Sequence, residues 1–176
     1  MSNRIHAVYW HFTPARWVLI SAFFLAISAI ACAENNCPWM NEATASDIVG
    51  VNVVGTYAAG LDKSARCTFA EESGQTGRTL QVIVENASDA HADYLLSLRT
   101  FCAIAKEPLM AVGNEAATCS ILHRKTVTGE RALGRVRNQV FIISLSTSIR
   151  NDPILTPGML AMKIVTAAEQ VAGNLF

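Results

Sequence analysis

An uncharged apolar run close to the N-terminus constrains this chain more than any other feature, because it fixes the compartment in which the cysteines must be read. Trp17 to Ala31 (WVLISAFFLAISAIA) carries no charge, Arg4 and Arg16 precede it, and Ala31-Cys32-Ala33 places small residues before Glu34. Basic, then apolar, then small is the order of an export signal. The run has 15 residues, fewer than the roughly 20 that a membrane-spanning helix needs. Residues 1–33 therefore read as a signal peptide, the alternative being an uncleaved N-terminal anchor.

Two processing routes meet at one place. Ala31-Cys32-Ala33 fits the Ala-x-Ala pattern cut by a general signal peptidase, which releases a chain beginning at Glu34. Ala29-Ile30-Ala31-Cys32 is also similar to a bacterial lipobox, with Ala29 where Leu is usual, and there Cys32 becomes an acylated first residue. The first route predicts a periplasmic or secreted protein, the second a membrane-anchored lipoprotein. Membrane association is expected only through an acylated Cys32 or an uncleaved signal.

Beyond Ala33 four cysteines remain: Cys37, Cys67, Cys102 and Cys119. An even set in an exported domain favours disulfides. No pair has C-x-x-C spacing, so no cysteine metal site is expected. Residues 34–176 suit a single domain with its own core. Without Arg4 and Arg16, twelve basic residues face fourteen acidic ones, a net charge of −2. That balance lacks the basic excess of a nucleic-acid-binding protein.

Changes of hydrophobic period mark the elements. Asn41 to Val49 reads as a short capped helix stopped by Gly50, and Val51 to Tyr57 as extended, before a loop over Ala58 to Ala65. Arg66 to Glu71 and Arg78 to Glu85 alternate as strands. A period near 3.6 follows: Ser88 is the expected N-cap, and Tyr94, Leu95, Leu98, Phe101, Cys102 and Ala105 form one stripe that ends before Pro108. After a loop from Pro108 to Glu115, strands are expected over Ala116–Arg124, Arg131–Arg137 and Gln139–Thr147, with turns at Thr128-Gly129-Glu130 and Arg137-Asn138. Thr156 and Pro157 then open a last amphipathic helix. The order predicts an α+β domain: an antiparallel sheet of about five to six strands with helices packed against it.

Cys37-Pro38-Trp39-Met40-Asn41 before an Ala-rich helix, the Cys67-Thr68-Phe69 strand, and Val112-Gly113-Asn114-Glu115-Ala116 resemble segments of a family of small exported bacterial domains. These domains have a fold similar to the photosystem subunit PsbP. The strand ending in Arg137-Asn138, the apolar strand after it and the terminal helix extend that resemblance over most of residues 37 to 175. It implies a PsbP-like fold, export or lipoprotein status, no assigned activity and no catalytic residues.

Four cysteines permit three connectivities. The expected topology brings Cys102, near the end of its helix, to Cys119 on the next strand, and leaves Cys37 for Cys67. Each loop so closed contributes roughly 3 kcal/mol in the chain-entropy description.

Catalytic patterns are poor. There is no Gly-x-Ser-x-Gly, and the mature region holds only His91 and His123. His91 reads as solvated near a helix start, and His123, by alternation with Cys119 and Ile121, as an edge-of-core histidine. Asp89, His91 and Asp93 do not converge on a helix, because positions two apart diverge. Neither a metal nor a cofactor is expected. Arg124, Lys125, Arg131, Arg135 and Arg137 form a candidate anion-binding patch on one meander, weighed against a solvated strand whose charges discourage edge pairing.

The sequence thus predicts an exported, non-enzymatic binding or scaffold domain of the bacterial envelope, whose partner is an unknown protein or an anionic envelope ligand. The alternatives are an envelope hydrolase with an unrecognised site, and a periplasmic inhibitor presenting the loop from Lys106 to Glu115.

Overall fold

The structure is a computed structural model and describes residues 36–60, 63–72, 77–102 and 107–176. Cys32 and the segment read as a signal peptide lie outside the described residues. Contacts divide the chain into Met1–Glu34 and Asn35–Phe176, and the description below concerns the second unit.

Helix α1 spans Glu42–Val49, followed by strands β1 (Val53–Ala59), β2 (Ser64–Glu71) and β3 (Arg78–Asn86). Helix α2 covers Ala90–Phe101, and then come β4 (Glu107–Pro108), β5 (Glu115–His123), β6 (Thr126–Val136), β7 (Gln139–Thr147) and helix α3 (Pro157–Leu175). The strands form one antiparallel sheet in the order β1-β2-β3-β7-β6-β5-β4. The α+β class is as expected, with seven strands in place of five to six.

Local chemistry sets the helix ends. Asn41 caps α1 by accepting from the Thr44 amide, and Gly50 ends it at a φ of 82°, a left-handed conformation that glycine adopts without Cβ strain. Thr156 caps α3 by accepting from the Met159 amide, with Pro157 in its first turn. The cap of α2 is Asp89, whose carboxylate accepts from the Ala92 amide, and not Ser88. An aspartate one residue later satisfies the same orphan amide and also faces the positive end of the helix dipole. α2 stops at Phe101; Leu95 and Phe101 of the expected stripe are exposed, and only Ala90, Tyr94 and Leu98 of the helix are buried.

Each face of the sheet has its own core. On one, Phe69, Leu80, Val82, Phe141, Ile143 and Leu145 meet Ile48 of α1 and Leu160, Ile164, Ala168 and Val171 of α3. On the other, Ile142, Val140, Leu133, Ala117 and Cys119 meet Ala90, Tyr94 and Leu98 of α2. β7 is apolar on both faces because helices lie on both sides of it, as its run Val140 to Ile143 implies.

Two turn readings are corrected. Thr128-Gly129-Glu130 lies inside β6, and the reversal is at Arg124 and Lys125, both with positive φ. Gly129 is a strand glycine: a Cβ there would stand 2.5 Å from the Leu145 carbonyl oxygen, and the register against β5 shifts between Ile121 and Leu122. The segment expected as a loop from Pro108 contributes the short edge strand β4, which pairs with Ala117 and Thr118, an edge position that tolerates proline. β1 and β2 also run further than expected, to Ala59 and from Ser64.

One buried ion pair closes the end of the α1/α3 face. Arg78 donates through Nε and one terminal nitrogen to Asp152 at 2.8 and 2.9 Å, and Thr147 Oγ1 and the Ile154 and Leu155 amides also donate to that carboxylate. Burial alone would push the Asp152 carboxyl up, but these hydrogen bonds outweigh it and hold it well below the usual carboxylate range. Among the described residues no helix is long and apolar enough to cross a membrane.

Candidate functional site

Cys37, Cys67, Cys102 and Cys119 pair as the topology predicts. Cys37 joins Cys67 and Cys102 joins Cys119, with Cα separations of 5.6 Å in both cases. The first ties the segment before α1 to the centre of β2. The second ties the end of α2 to β5. Cys67, Cys102 and Cys119 are buried.

The five cations do not share one surface. Arg124 and Lys125 are exposed in the β5–β6 turn, whereas Arg137 occupies the β6–β7 turn at a φ of 54°. At about 3.3 Å per residue, the eleven residues of β6 put these turns on the order of 35 Å apart. Arg137 has left the strand, and its guanidinium lies over the Phe176 ring at 5.9 Å. Arg131 and Arg135 share strand parity with Leu133 and project from the α2 face. Arg135 Nε donates to Glu115 at 3.0 Å, and His91 Nδ1 meets the same carboxylate oxygen at 2.9 Å. Hydrogen bonds from Arg135 and then His91 hold the Glu115 carboxyl below its ordinary value.

Arg131 is different. It donates from Nε to Ser144 Oγ at 3.0 Å and from a terminal nitrogen to the Phe101 carbonyl at 3.0 Å, and it lies over the Phe101 ring at 5.0 Å. The Phe101 carbonyl is one of the acceptors that the end of α2 leaves unpaired, so Arg131 both caps the helix and complements its negative end.

His123 is exposed at the end of β5, and the register shift before it breaks the alternation that would have placed it beside Cys119. His91 is exposed as expected. Glu130 is the remaining buried ionisable group of note: burial pushes its carboxyl up, against the hydrogen bond from Ser120 Oγ at 2.5 Å.

Sequence reasoning missed an open groove. α2 rests on β6 and β7, leaving the β1–β3 half of its face uncovered. A groove of about 450 Å³ runs there between α2 and the sheet, with Ala58, Arg66, Ile83 and Ile142 on its floor, Ser97 and Phe101 on its wall, and Glu85 at its rim. The signal was present in the strands. Thr56, Thr68, Gln81 and Ser144 fall in one cross-strand row, and a row of hydroxyl and amide side chains on one face predicts that no helix covers it.

No protein-family model, no curated protein and no solved structure matches this chain.

Proposed function

We propose that this chain is an exported domain of the bacterial cell envelope, stapled by two disulfides, that binds a partner and does not turn over a substrate. Paired cysteines suit an oxidising compartment. The likeness to exported PsbP-like domains points the same way. The observation that carries the reading is the uncovered half of the α2 face, a groove lined by apolar side chains with one acid, Glu85, and one base, Arg66, and neither His91 nor His123 in its lining.

The test is production of the full chain in a bacterial host, followed by fractionation and intact mass with thiol blocking before and after reduction. The expected product is an envelope or secreted species that begins at Glu34 or at an acylated Cys32 and reacts with four blocking groups only after reduction. A full-length cytoplasmic chain with reactive thiols would overturn the proposal. Crosslinking from the intact envelope then compares the wild type with Arg66→Glu, which reverses charge in the groove, and partner yield is expected to fall.

The inhibitor reading keeps one supporting observation. Met110 is 86% exposed on the turn between β4 and β5, which is braced by the Leu109 amide on Ala116 and the Asn114 amide on Arg135. Met110→Asp should abolish protease inhibition if that loop enters an active site. Absence of inhibition by the wild type across serine and cysteine proteases would remove this reading.

A further inference from the structure

Three arginines stand partly or wholly buried in the sheet, and two are neutralised: Arg78 by Asp152 and Arg135 by Glu115. Arg131 has no carboxylate partner among the described residues. Its contacts, Ser144 Oγ and the Phe101 carbonyl, are neutral and fix the guanidinium plane while using two of its five N–H donors. A cation oriented in this way and left uncompensated beside a groove is set up to receive an anion.

The neighbours define the rest of the ligand. Ser144 pairs across the ladder with Arg131 and with Gln81, and Ile142 is the next residue of β7 on the same face, about 7 Å away. Ile142 pairs with Ile83, so two isoleucines form the floor adjoining the guanidinium. That apolar floor is short. Arg66 is the cross-strand neighbour of Ile83 on one side, and on the other Leu133 is buried under α2. Two strands give an apolar width of about 10 Å, enough for one ring and too little for a long acyl chain. Glu85, the next residue of β3 on this face beyond Ile83, repels a carboxylate at that end and so directs it toward Arg131.

We propose that the groove between the end of α2 and the sheet binds a small aryl carboxylate, with its carboxylate on Arg131 and Ser144, which adjoin the groove, and its ring over Ile142 and Ile83 against Phe101. The inference deepens the binding-domain reading and rests on it. The same chemistry occurs in a free aryl acid and at the C-terminus of a polypeptide ending in phenylalanine.

The test is an NMR titration of the full oxidised chain with phenylacetate. Saturable shifts are expected at the amides of Ile83, Arg131, Ile142 and Ser144. Benzylamine, with the ring and the opposite charge, and acetate, with the charge and no ring, should each bind at least about tenfold more weakly. Arg131→Gln should also weaken phenylacetate by about tenfold or more. Because Arg131 also caps α2, a second variant, Ser97→Trp, fills the groove while keeping the guanidinium and should abolish the shifts. A peptide acid ending in Phe that outcompetes phenylacetate, with its C-terminal amide inactive, assigns the site to a polypeptide terminus, and the reverse order assigns it to a free acid. Equal binding of benzylamine, no saturation by either acid, or binding unchanged in the folded variants overturns the inference. Failure of the binding-domain reading would look different, as a reduced cytoplasmic chain.

Discussion

The two faces of the sheet are built from alternate residues of the same strands, yet they have different fates. Leu80, Val82 and Val84 of β3 point under α1 and α3 and are buried, while Thr79, Gln81 and Ile83 point to the α2 side and remain partly exposed. Two helices cover one face. One 12-residue helix covers only part of the other, held at its end by Cys102–Cys119 and Arg131. Two helices of packing therefore lie on one side of the sheet and an open groove on the other.

The largest test of this contrast is Asp152→Ala, which strands Arg78 at the end of the covered face and should cost about 3–5 kcal/mol in denaturant unfolding. Its pH dependence follows from the lowered folded-state value: the contribution is complete above the ordinary carboxylate range near pH 4 and is lost as pH falls toward the folded value. Asp152→Asn should flatten the wild-type acid slope between about pH 4 and pH 2. Next, Leu145→Ala on the covered face should cost about 2–5 kcal/mol by the same measurement. A double Cys102→Ala, Cys119→Ala change removes the staple of α2 and should cost about 3 kcal/mol. Amide exchange in that variant should accelerate in α2 and leave α3 protected.

Smaller effects probe the boundary of the open region. β1 is an edge strand without a charged residue, and its outward amides at Val53 and Gly55 donate to Ser46 Oγ and to the Glu42 carboxylate at 3.2 and 2.7 Å. Glu42→Ala should cost only about 1 kcal/mol. It also exposes a pairing edge, so concentration-dependent association in sedimentation is expected. The smallest effect belongs to Ser146→Ala, next to Leu145 but on the open side, where a change within about 0.5 kcal/mol is expected. A cost as large as that of Leu145→Ala would erase the distinction between the faces.

Much of the fold was legible because local chemistry and packing agree. Asn41, Gly50, Thr156 and Pro157 end their helices as capping rules require, and the apolar double face at the start of β7 fits its central place in the sheet. The misreadings came from residues with two physical uses. Gly129 was taken for a turn when it serves close approach within β6, and Pro108 for a loop when it sits at an edge strand. Disulfide pairing was legible once the helix-to-strand topology was drawn. The groove was legible only in part: the polar row Thr56, Thr68, Gln81 and Ser144 marks an uncovered strip, but no periodicity in the sequence specifies where α2 comes to rest.

The strand order β1-β2-β3-β7-β6-β5-β4 means that two sequence-local meanders meet along a single β3–β7 seam. Cys37–Cys67 closes within the first half and Cys102–Cys119 within the second, over 30 and 17 residues. Neither staple crosses the seam, whereas the Arg78–Asp152 pair does. Oxidation can therefore precede docking of the halves, since short loops close more readily than the pairing of Val82 with Ile143. Correct pairing of each staple requires only its own half of the chain.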